Sequence, residues 1–514
     1  NYDPGYWSQV NTGLSTQSPS QVNNPNFSSN PGVGRVQCIE IAGSDCYIGT
    51  PGGGIWKNSV SGSWVDWIPI GDGLPQIGIS DIEVNPNNSN NIFILTGEAD
   101  QSVSTNESIG VLESNDGGLT WHATSLSWDV NELVGATRLL MHPTNPNIQF
   151  VTVRRPSSRR GIYKTTDGWN SWTQVYDGGN PVWDIEFKPG DPSIVYASTN
   201  NDFLRSTSNG DSATFNIITN GLPSNPGTDR IAIGVSPDDA DYVYLLYADN
   251  NGSTTTPCST ALSPFDGFYR STNSGVSFIL RDSGCPNPLG YSSTGADNRE
   301  QATYDLALAV NPNDVNEVHI GGINCWMSTT GGNSGSWTIT SWWDRNGTAS
   351  IPFTFGYTHA DIHALEFSSS GKLYCASDGG FYRRSNGAWS DRSNGLMNMQ
   401  FYNIDVHNSG NFAIGGSQDN GGNLINMSSS TLRHEIGADG IAAQIDQSTN
   451  DTWFLSTQSS LARTTNGGTN YTYVYTGGIL WRSEVVIHPT NSQIVYFSDD
   501  EDLYRSTTGG GNGS

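Results

Sequence analysis

The sequence predicts an all-β fold: a single β-propeller of ten four-stranded blades. One phrase recurs from end to end, a strand ending in an aromatic and a basic residue, then Ser/Thr-x-Asp/Asn-Gly-Gly, then a Thr/Ser–aromatic pair. Its copies follow each other at roughly 40 to 65 residues, the spacing of one supersecondary unit in a repeat architecture. The N-terminal segment supplies one further strand, which is the piece that the last copy lacks.

The copies of the phrase give the number of blades. The clear copies are Val111–Trp121, Gly161–Trp172, Phe203–Phe215, Gly267–Phe278, Ala462–Tyr473 and Leu503–Gly511. The weaker copies are Gly52–Trp64, Cys325–Trp337, Gly379–Ser390 and Asn423–His434. Together they predict ten blades.

Each copy belongs to a set of four short strands. In the second blade, Ile79–Val84 and Ile92–Gly97 precede the phrase, and the strand after its turn completes the set. Apolar residues are dense in the first two strands and alternate with polar residues in the outer two. This gradient indicates strands that are ordered from a buried centre to a wetter rim.

The two ends of the chain are expected to close the ring. The last copy ends before its fourth strand, and Gly5–Leu14 is similar to a fourth strand. Pairing the two would remove the exposed sheet edges. We therefore expect one domain over residues 1–508. The Gly-rich residues 509–514 would be a tail or linker, leading to further C-terminal domains or left by trimming.

The composition excludes several classes of partner. Charged residues make up only 14% of the 514 residues, and the net charge is −26. Such a surface repels nucleic acid and anionic lipid, which both need basic patches. No apolar run is long enough for a transmembrane segment. We expect a secreted or cell-surface protein, whose acidic groups could bind Ca²⁺ as the one cofactor.

The six cysteines support an oxidising location. Cys38 and Cys46 flank a predicted hairpin turn, so a disulfide between them is plausible. The remaining natural pairs are Cys258 with Cys285 and Cys325 with Cys375, although the sequence alone does not fix the connectivity.

The Ser-x-Asp-Gly-Gly-x-Thr-Trp phrase resembles the Asp-box (BNR) repeat. Its Asp or Asn caps a tight turn, so Asp116 and Asp167 are expected to be structural and not catalytic. Sialidases share this repeat, but their arginines are dispersed over six blades, whereas Arg154–Arg160 is a local cluster. Asp-box xyloglucanases use two seven-bladed propellers with catalytic Asp residues in the cleft between them, and this chain has too few repeats for two such rings. The sortilin (VPS10) family has a single ten-bladed ring, which fits the count best.

A closer resemblance covers Tyr357 to Asp446. This stretch is similar to a large group of secreted bacterial BNR, sortilin-like propeller proteins. Many of them carry a sorting domain for type IX secretion and adhesion-like or glycosidase-like labels. The resemblance implies a secreted, surface-associated role.

Polar residues converge where long loops enter the seventh to ninth blades. The expected ligand-binding residues are His359, Asp361, Asp378, Gln418, Asp419, Asp439, Trp342, Trp343 and Tyr357. His359, Asp361, Asp378 and Asp419 are candidate metal ligands, because Ca²⁺ prefers oxygen ligands. Asp361, Asp378, Asp419 and Asp439 are candidate catalytic acids, because glycoside hydrolysis needs two carboxyl groups. Alternatively, these side chains only cap strand ends.

The aromatic residues among them would stack on sugar rings or hold peptide side chains. The favoured hypothesis is a secreted, adhesion-like binding propeller that recognises a glycan or peptide on its long-loop face. Whether the chain is also an enzyme is left open, with binding favoured. The alternative is a glycoside hydrolase related to the Asp-box xyloglucanases. A third possibility is a structural spacer.

Overall fold

A computed structural model describes residues 32–511, with gaps in the description at 61–66, 77, 99, 101–105, 225, 250–252, 258–263, 345–355, 397, 428–430, 480–481 and 500. The described part contains forty-one strands and one short 3₁₀ helix, Val130–Glu132. It contains no helix that is both long and apolar enough to span a bilayer. The chain divides into two compact units, residues 35–344 with 348–392, and residues 1–34 with 345–347 and 393–514.

The first unit, named here the seven-sheet unit, contains strands β1 to β30. They are β1 (Cys38–Ala42), β2 (Asp45–Gly49), β3 (Ile55–Ser59), β4 (Ile68–Pro69), β5 (Ile79–Val84), β6 (Ile92–Thr96), β7 (Gly110–Ser114), β8 (His122–Ser127), β9 (Gly135–Met141), β10 (Gln149–Arg155), β11 (Gly161–Thr165), β12 (Thr173–Tyr176), β13 (Val182–Phe187), β14 (Val195–Thr199), β15 (Phe203–Ser206), β16 (Asn216–Ile217), β17 (Arg230–Val235), β18 (Val243–Ala248), β19 (Ser253–Pro257), β20 (Phe265–Ser271), β21 (Ile279–Asp282), β22 (Asp297–Asn298), β23 (Ala307–Asn311), β24 (Asp314–Gly321), β25 (Cys325–Ser328), β26 (Thr338–Ile339), β27 (Ile362–Phe367), β28 (Leu373–Ser377), β29 (Gly380–Ser385) and β30 (Ala388–Asp391).

The second unit, the three-sheet unit, contains the remaining strands. They are β31 (Phe401–Val406), β32 (Phe412–Ser417), β33 (Gly421–Asn426), β34 (Thr431–Ile436), β35 (Ala443–Ile445), β36 (Trp453–Thr457), β37 (Ser460–Thr464), β38 (Thr472–Thr476), β39 (Val485–Ile487), β40 (Val495–Ser498) and β41 (Leu503–Ser506).

The predicted all-β propeller blades are confirmed. Among the described residues, nine antiparallel sheets have four strands, β39–β41 form a three-stranded sheet, and β19 pairs with β22 in a separate ribbon. The first strand of each blade is an edge strand, and hydrophobic clusters fill the spaces between neighbouring sheets. The gradient of apolar residues along each repeat therefore reflects burial between blades.

The arrangement of the blades differs from the expected single ring of ten over residues 1–508. Within the seven-sheet unit, the inner strands contact each other in sequence from β1 to β27, and β27 contacts β1. The backbone amide of Val36 also donates to the Ser377 carbonyl, at 2.9 Å. The seven blades of this unit therefore form a closed ring. A local repeat pattern does not reveal such closure. The predicted closing strand Gly5–Leu14 lies outside the described residues, as do residues 512–514 of the predicted tail.

The inner strands of neighbouring blades are not paired through their backbones, and carboxylate side chains form hydrogen bonds between them instead. Asp81 accepts from the Leu139 amide at 2.9 Å, and Asp184 accepts from the Ile233 amide at 2.9 Å. In the three-sheet unit, Asp405 accepts from the Ile445 amide at 2.7 Å. These bonds satisfy edge N–H groups that would otherwise face a partner blade without an acceptor.

The Asp-box residues form turns, as their chemistry predicts. Asp116 Oδ1 accepts from the Thr120 amide at 2.8 Å, and Asp167 Oδ1 accepts from the Ser171 amide at 2.9 Å. The hydrogen bonds from Thr120 lower the pKa of the exposed Asp116 carboxyl to about 2. Both carboxylates are therefore committed to local backbone and take no part in the candidate site.

Two of the expected disulfides are absent. Cys38, Cys46, Cys325 and Cys375 are buried free thiols. The hairpin register sets Cys38 opposite Gly49 and Cys46 opposite Ile41, so the two thiols are separated along the ladder. Cys325 and Cys375 pack as apolar groups in one core cluster. Cys285 is disulfide-bonded, and Cys258 lies outside the described residues.

Candidate functional site

A cavity of about 540 Å³ runs along the inner strands of the seven-sheet unit. Consecutive residues of the inner strands line it, such as Ile231 to Val235 on β17 and His363 to Phe367 on β27. Arg230, His363 and Asp100 line this cavity and belong to the charge network described next. The network joins the cavity to the long loops that precede β23 and β27.

His363, on β27, lies between two buried carboxylates. Its Nδ1 lies 2.8 Å from Asp100 Oδ2, and its Nε2 lies 2.7 Å from Asp378 Oδ1. The Tyr304 hydroxyl donates to the other Asp378 oxygen at 2.7 Å. Asp100, Asp378 and His363 are each at most 5% exposed, so their charges are compensated inside the protein and not by water.

Arginines complete the network. Arg230 donates to Asp100 Oδ1 at 2.9 Å. Arg35 donates to the Tyr304 hydroxyl at 3.1 Å and forms an ion pair with Glu98. Its Nε also lies 3.9 Å from Asp378 Oδ1.

The network fixes the protonation of its members. Burial alone would lower the pKa of His363, but Asp378 and Asp100 raise it to about 9. Burial would raise the pKa of Asp378, but the positive charges of His363 and Arg35 lower it to about 2. At neutral pH, His363 is therefore an imidazolium that donates through both nitrogens, and Asp378 is ionised.

Asp305 and Asp361 add carboxyl groups of a different character. Burial raises the pKa of Asp305 well above its usual range, and the negative charges of Asp361 and Asp378 raise it further. Asp305 is 1% exposed, and a hydrogen bond with the side chain of Asp361 also raises its pKa. The structure thus holds a protonated carboxyl close to ionised ones.

The predicted site residue Asp361 has an unusual backbone. Its φ is 62°, a left-handed conformation that non-glycine residues rarely adopt, and its amide donates to the Ile323 carbonyl at 3.3 Å. Its Oδ1 accepts from Gln301 Nε2 at 3.0 Å, and carboxylate oxygens of Asp361 and Asp378 lie within 4.8 Å of each other. Such strain persists where surrounding contacts hold it, and it is common at functional sites.

Three predicted site residues lie in the three-sheet unit. Gln418 accepts from the Tyr402 hydroxyl at 2.6 Å. The Asp419 amide donates to Asp439 Oδ1 at 2.9 Å, and Asp419 has a φ of 55°. Asp419 and Asp439 thus form a local pair at the end of β32.

The remaining predicted residues belong to the seven-sheet unit. His359 is 1% exposed, and its ring packs against Gly379, where a Cβ would lie 2.2 Å from the ring. Tyr357 packs on a core cluster and meets Tyr382 edge-on, with 6.1 Å between ring centroids. These contacts give both residues a role in packing.

Trp342 and Trp343 lie in an aromatic group with Tyr291. The two indoles are 5.9 Å apart, and Tyr291 meets Trp343 edge-on at 5.8 Å. Arg299 lies over the Tyr291 ring at 5.2 Å. The Trp343 amide donates to Asn324, whose neighbour Ile323 accepts from Asp361. The aromatic group is therefore attached to the same short segment as Asp361.

Sequence reasoning found Asp361 and Asp378 but missed most of their partners. Arg35, Asp100, Tyr304 and Asp305 belong to no repeated pattern and are contributed by segments outside the blade strands. Asp100 lies in the long connection between β6 and β7, and Tyr304 lies in the connection that precedes β23. That loop length was the available signal. The expected Ca²⁺ ligands His359, Asp361, Asp378 and Asp419 stay a prediction.

No family model matches the chain. A xyloglucanase of Hypocrea jecorina (strain QM6a) is 26% identical over 136 residues, a match that covers 25% of this chain and 16% of that enzyme. Among solved structures, the GH74 xyloglucanase from Xanthomonas campestris has a TM-score of 0.66 at 14% identity, covering 94% of this chain and 74% of its own. The GH74 enzyme of Niastella koreensis has a TM-score of 0.54 at 18% identity, covering 94% and 79%. The structural similarity establishes a β-propeller fold.

These comparisons correct the expected function. The preference for an adhesion-like binding propeller was wrong, because a curated relative is a xyloglucanase and solved GH74 structures share the fold. They favour the alternative, a glycoside hydrolase. The sortilin-like assignment and type IX secretion stay predictions.

Proposed function

We propose that this chain is a glycoside hydrolase that cleaves a glucan polysaccharide of the xyloglucan type. The proposal rests on a cluster of three carboxyl groups in one site. Asp361 lies beside Asp378, whose carboxylate is ionised, and beside Asp305, whose carboxyl group is kept protonated. Glycoside hydrolysis requires one carboxylic acid and one carboxylate in the same site. The match to a xyloglucanase supports the substrate class.

Different environments assign the acids different roles. Asp378 uses one oxygen on His363 and the other on Tyr304, so it stays ionised and supplies negative charge next to a developing oxocarbenium ion. Asp361 is the general acid or base, because proton transfer suits a carboxyl group close to a protonated neighbour. Asp305 acts through Asp361 as a positioning residue that keeps a proton in the cluster.

The aromatic group of Trp342, Trp343 and Tyr291 is the proposed sugar subsite. Aromatic faces stack on sugar rings, and this group is joined to Asp361 through Asn324 and Ile323. Truncation of Trp343 to Ala should raise KM about tenfold and change kcat little, whereas Trp343→Phe should keep most of the affinity. Initial rates over a range of xyloglucan concentrations separate the two parameters.

We also propose a secreted location. Cys285 is disulfide-bonded, and structural disulfides form and persist in oxidising compartments. The four buried thiols are compatible with this, because burial protects them from oxidation.

Kinetics of matched variants test the acid roles. Asp361→Asn should lower kcat about 10²- to 10⁴-fold on xyloglucan and much less on an aryl glycoside whose leaving group needs no protonation. Asp378→Asn should lower the rate on both substrates. Asp419→Asn and Asp439→Asn test the acids of the three-sheet unit, and Asp72→Asn, which changes an exposed turn carboxylate, is the control. Full activity of both Asp361→Asn and Asp378→Asn would reject the assignment.

A further inference from the structure

Five blades of the seven-sheet unit have a β-bulge at the start of the inner strand. In β5, β9, β13 and β27, one residue is left out of the register with the second strand of the blade. In the first blade, the Gln37 amide donates at 2.8 Å to the carbonyl of Gly49, which is already paired with Cys38. A bulge re-aims the side chain of the extra residue. These extra residues, named here the mouth layer, are Gln37, Ser80, Thr137, Trp183 and His363.

The mouth layer lines one end of the cavity of about 540 Å³, here called the axial cavity. His363 shows which end this is, because it contacts Asp100 and Asp378 of the candidate site. Asp305, Asp361 and Asp378 are not among the described residues that line the cavity. The axial cavity is therefore a separate space that adjoins the candidate active site.

Three side chains of the mouth layer have hydrogen-bond partners within the protein. Ser80 donates to the Thr96 carbonyl at 3.3 Å, and Thr137 donates to the Val182 carbonyl at 3.0 Å. His363 lies between its two carboxylates. The folded chain itself accounts for these three polar groups.

Gln37 and Trp183 lack such partners. Gln37 is 3% exposed, and neither its side-chain oxygen nor its nitrogen has a hydrogen-bond partner among the described residues. Trp183 is 5% exposed, and the same holds for its Nε1. The guanidinium groups of Arg154 and Arg230 lie 5.4 and 5.0 Å from the centre of its ring and do not bond the N–H. Buried polar groups are rarely left unsatisfied, so two of them in one cavity lining indicate a polar occupant.

The size of the axial cavity excludes a single bridging water as its occupant. Its volume of about 540 Å³ is many times the roughly 30 Å³ of one water molecule and falls in the range of small-molecule sites, about 300–1,000 Å³. Pro237 and Ser369 line the cavity at the other ends of the inner strands and are exposed. The cavity therefore reaches the surface, where a small solute enters.

The two unpartnered side chains define the chemistry of this solute. The Gln37 amide offers both donors and an acceptor, and the Trp183 indole offers one donor. A hydroxyl group both accepts from N–H groups and donates to a carbonyl, whereas a carboxylate only accepts and an ammonium group only donates. The cations at this level, Arg230 and His363, are already paired with Asp100. The site therefore suits a neutral molecule that carries several hydroxyl groups.

We propose that the axial cavity binds a neutral sugar in its pyranose form, held at the mouth layer by Gln37 and Trp183. These residues belong to the first and fourth blades, and a pyranose carries hydroxyl groups on several sides with which it reaches both. A rigid ring also loses less conformational entropy on binding than an open-chain polyol. The site is distinct from the proposed active site and does not depend on hydrolysis.

Calorimetric titration of D-glucose into the full chain tests this site. We expect saturable binding, which Gln37→Leu and Trp183→Phe each weaken about tenfold or more. Trp172→Phe is the matched control, because the Trp172 indole donates to the Ser125 carbonyl and lies outside the cavity lining. It should leave the affinity unchanged. Glycerol, which has hydroxyl groups but no ring, should bind clearly more weakly than glucose.

The melting temperature separates a ligand-binding role from a structural one. Gln37→Leu replaces an unsatisfied buried amide by an apolar group of similar shape, so the sugar-free variant should be at least as stable as the unchanged chain. Glucose should raise the melting temperature of the unchanged chain and not that of the variant, because only the former binds it. A clearly lower melting temperature of sugar-free Gln37→Leu would assign Gln37 to the fold and contradict the proposal.

Three binding results would also overturn the proposal. The first is the absence of saturable binding up to about 100 mM glucose, far above a millimolar Kd. The second is equal affinity in Gln37→Leu and the unchanged chain. The third is loss of binding in Trp343→Ala but not in Gln37→Leu, which would place the sugar at the aromatic group instead. None of these results bears on hydrolysis, and a chain that releases no product from xyloglucan would leave the axial site untouched.

Discussion

At the scale of single residues, His363 determines the electrostatics of the candidate site. One imidazolium is shared by Asp100 and Asp378, which are buried on either side of it. A neutral replacement would leave both carboxylates without this cation. The two arginines nearby are engaged with Asp100 and Glu98 and do not substitute for it.

We therefore expect His363→Leu to destabilise the seven-sheet unit by about 3–5 kcal/mol, the usual cost of a buried charge that loses its partner. Urea unfolding followed by tryptophan fluorescence gives this value. His363→Gln, which can still donate one hydrogen bond, should cost less. Equal stability of the leucine variant and the unchanged chain would show that the imidazolium is not needed.

The pH dependence of stability follows from the same residue. Because the pKa of His363 rises from 6.5 to about 9 on folding, its contribution is complete below pH 6.5 and is lost as the pH rises through 9. The pKa of Asp378 falls from 3.8 to about 2, so its contribution is complete above pH 3.8 and is lost as the pH falls towards 2. The melting temperature should decrease between pH 7 and 9.5, and this decrease should be smaller in His363→Leu.

The thiols give a second prediction at this scale. Cys38, Cys46, Cys325 and Cys375 are buried, and burial raises the pKa of Cys38, Cys46 and Cys375 well above the usual range. A colorimetric thiol reagent should find none of the four in the native chain and all of them after denaturation without reductant. Rapid reaction in the native state would contradict this account.

At the scale of elements, the blades were predictable because their signals are local. The Asp-box turn is made by residues four apart, such as Asp116 and Thr120, and apolar strands precede each turn. The hydrogen bonds between blades were not predictable, because Asp184 and Ile233 are far apart in sequence and nothing near either residue marks the other.

The bridge between β31 and β35 tests the role of these carboxylates. Asp405→Ala removes the acceptor for the Ile445 amide and should destabilise the three-sheet unit by about 1–3 kcal/mol. Asp405→Asn keeps an acceptor and should cost clearly less. Hydrogen exchange of the Ile445 amide reports the change locally, and equal exchange in all three proteins would show that the bridge contributes nothing.

At the scale of the whole molecule, ring closure is the property that the sequence did not reveal. Counting repeats gives ten sheets, but closure depends on whether β27 packs on β1, strands more than three hundred residues apart. Strand β31, the first strand of its blade, differs from β1 and β27 because one of its faces is open to solvent. Its alternate residues Tyr402, Ile404 and Val406 are 38%, 54% and 50% exposed. Packing between distant strands, and not the repeat itself, distributes the blades between the two units.

The candidate site was only partly predictable for a related reason. Asp361 and Asp378 border the blade strands and could be placed by counting strands. Asp305, Tyr304 and Arg35 come from segments without periodicity, so only the folded chain shows that they meet. Their proximity is also what separates the protonation states on which the proposed hydrolysis depends.

The most direct test of the central claim is mass spectrometry of the products after the chain is incubated with xyloglucan. We predict that the unchanged protein releases oligosaccharides and that Asp361→Asn and Asp378→Asn, folded as judged by their melting curves, release almost none. Intact polysaccharide after incubation with the unchanged protein, on xyloglucan and on other glucans, would contradict the claim that this propeller is a hydrolase.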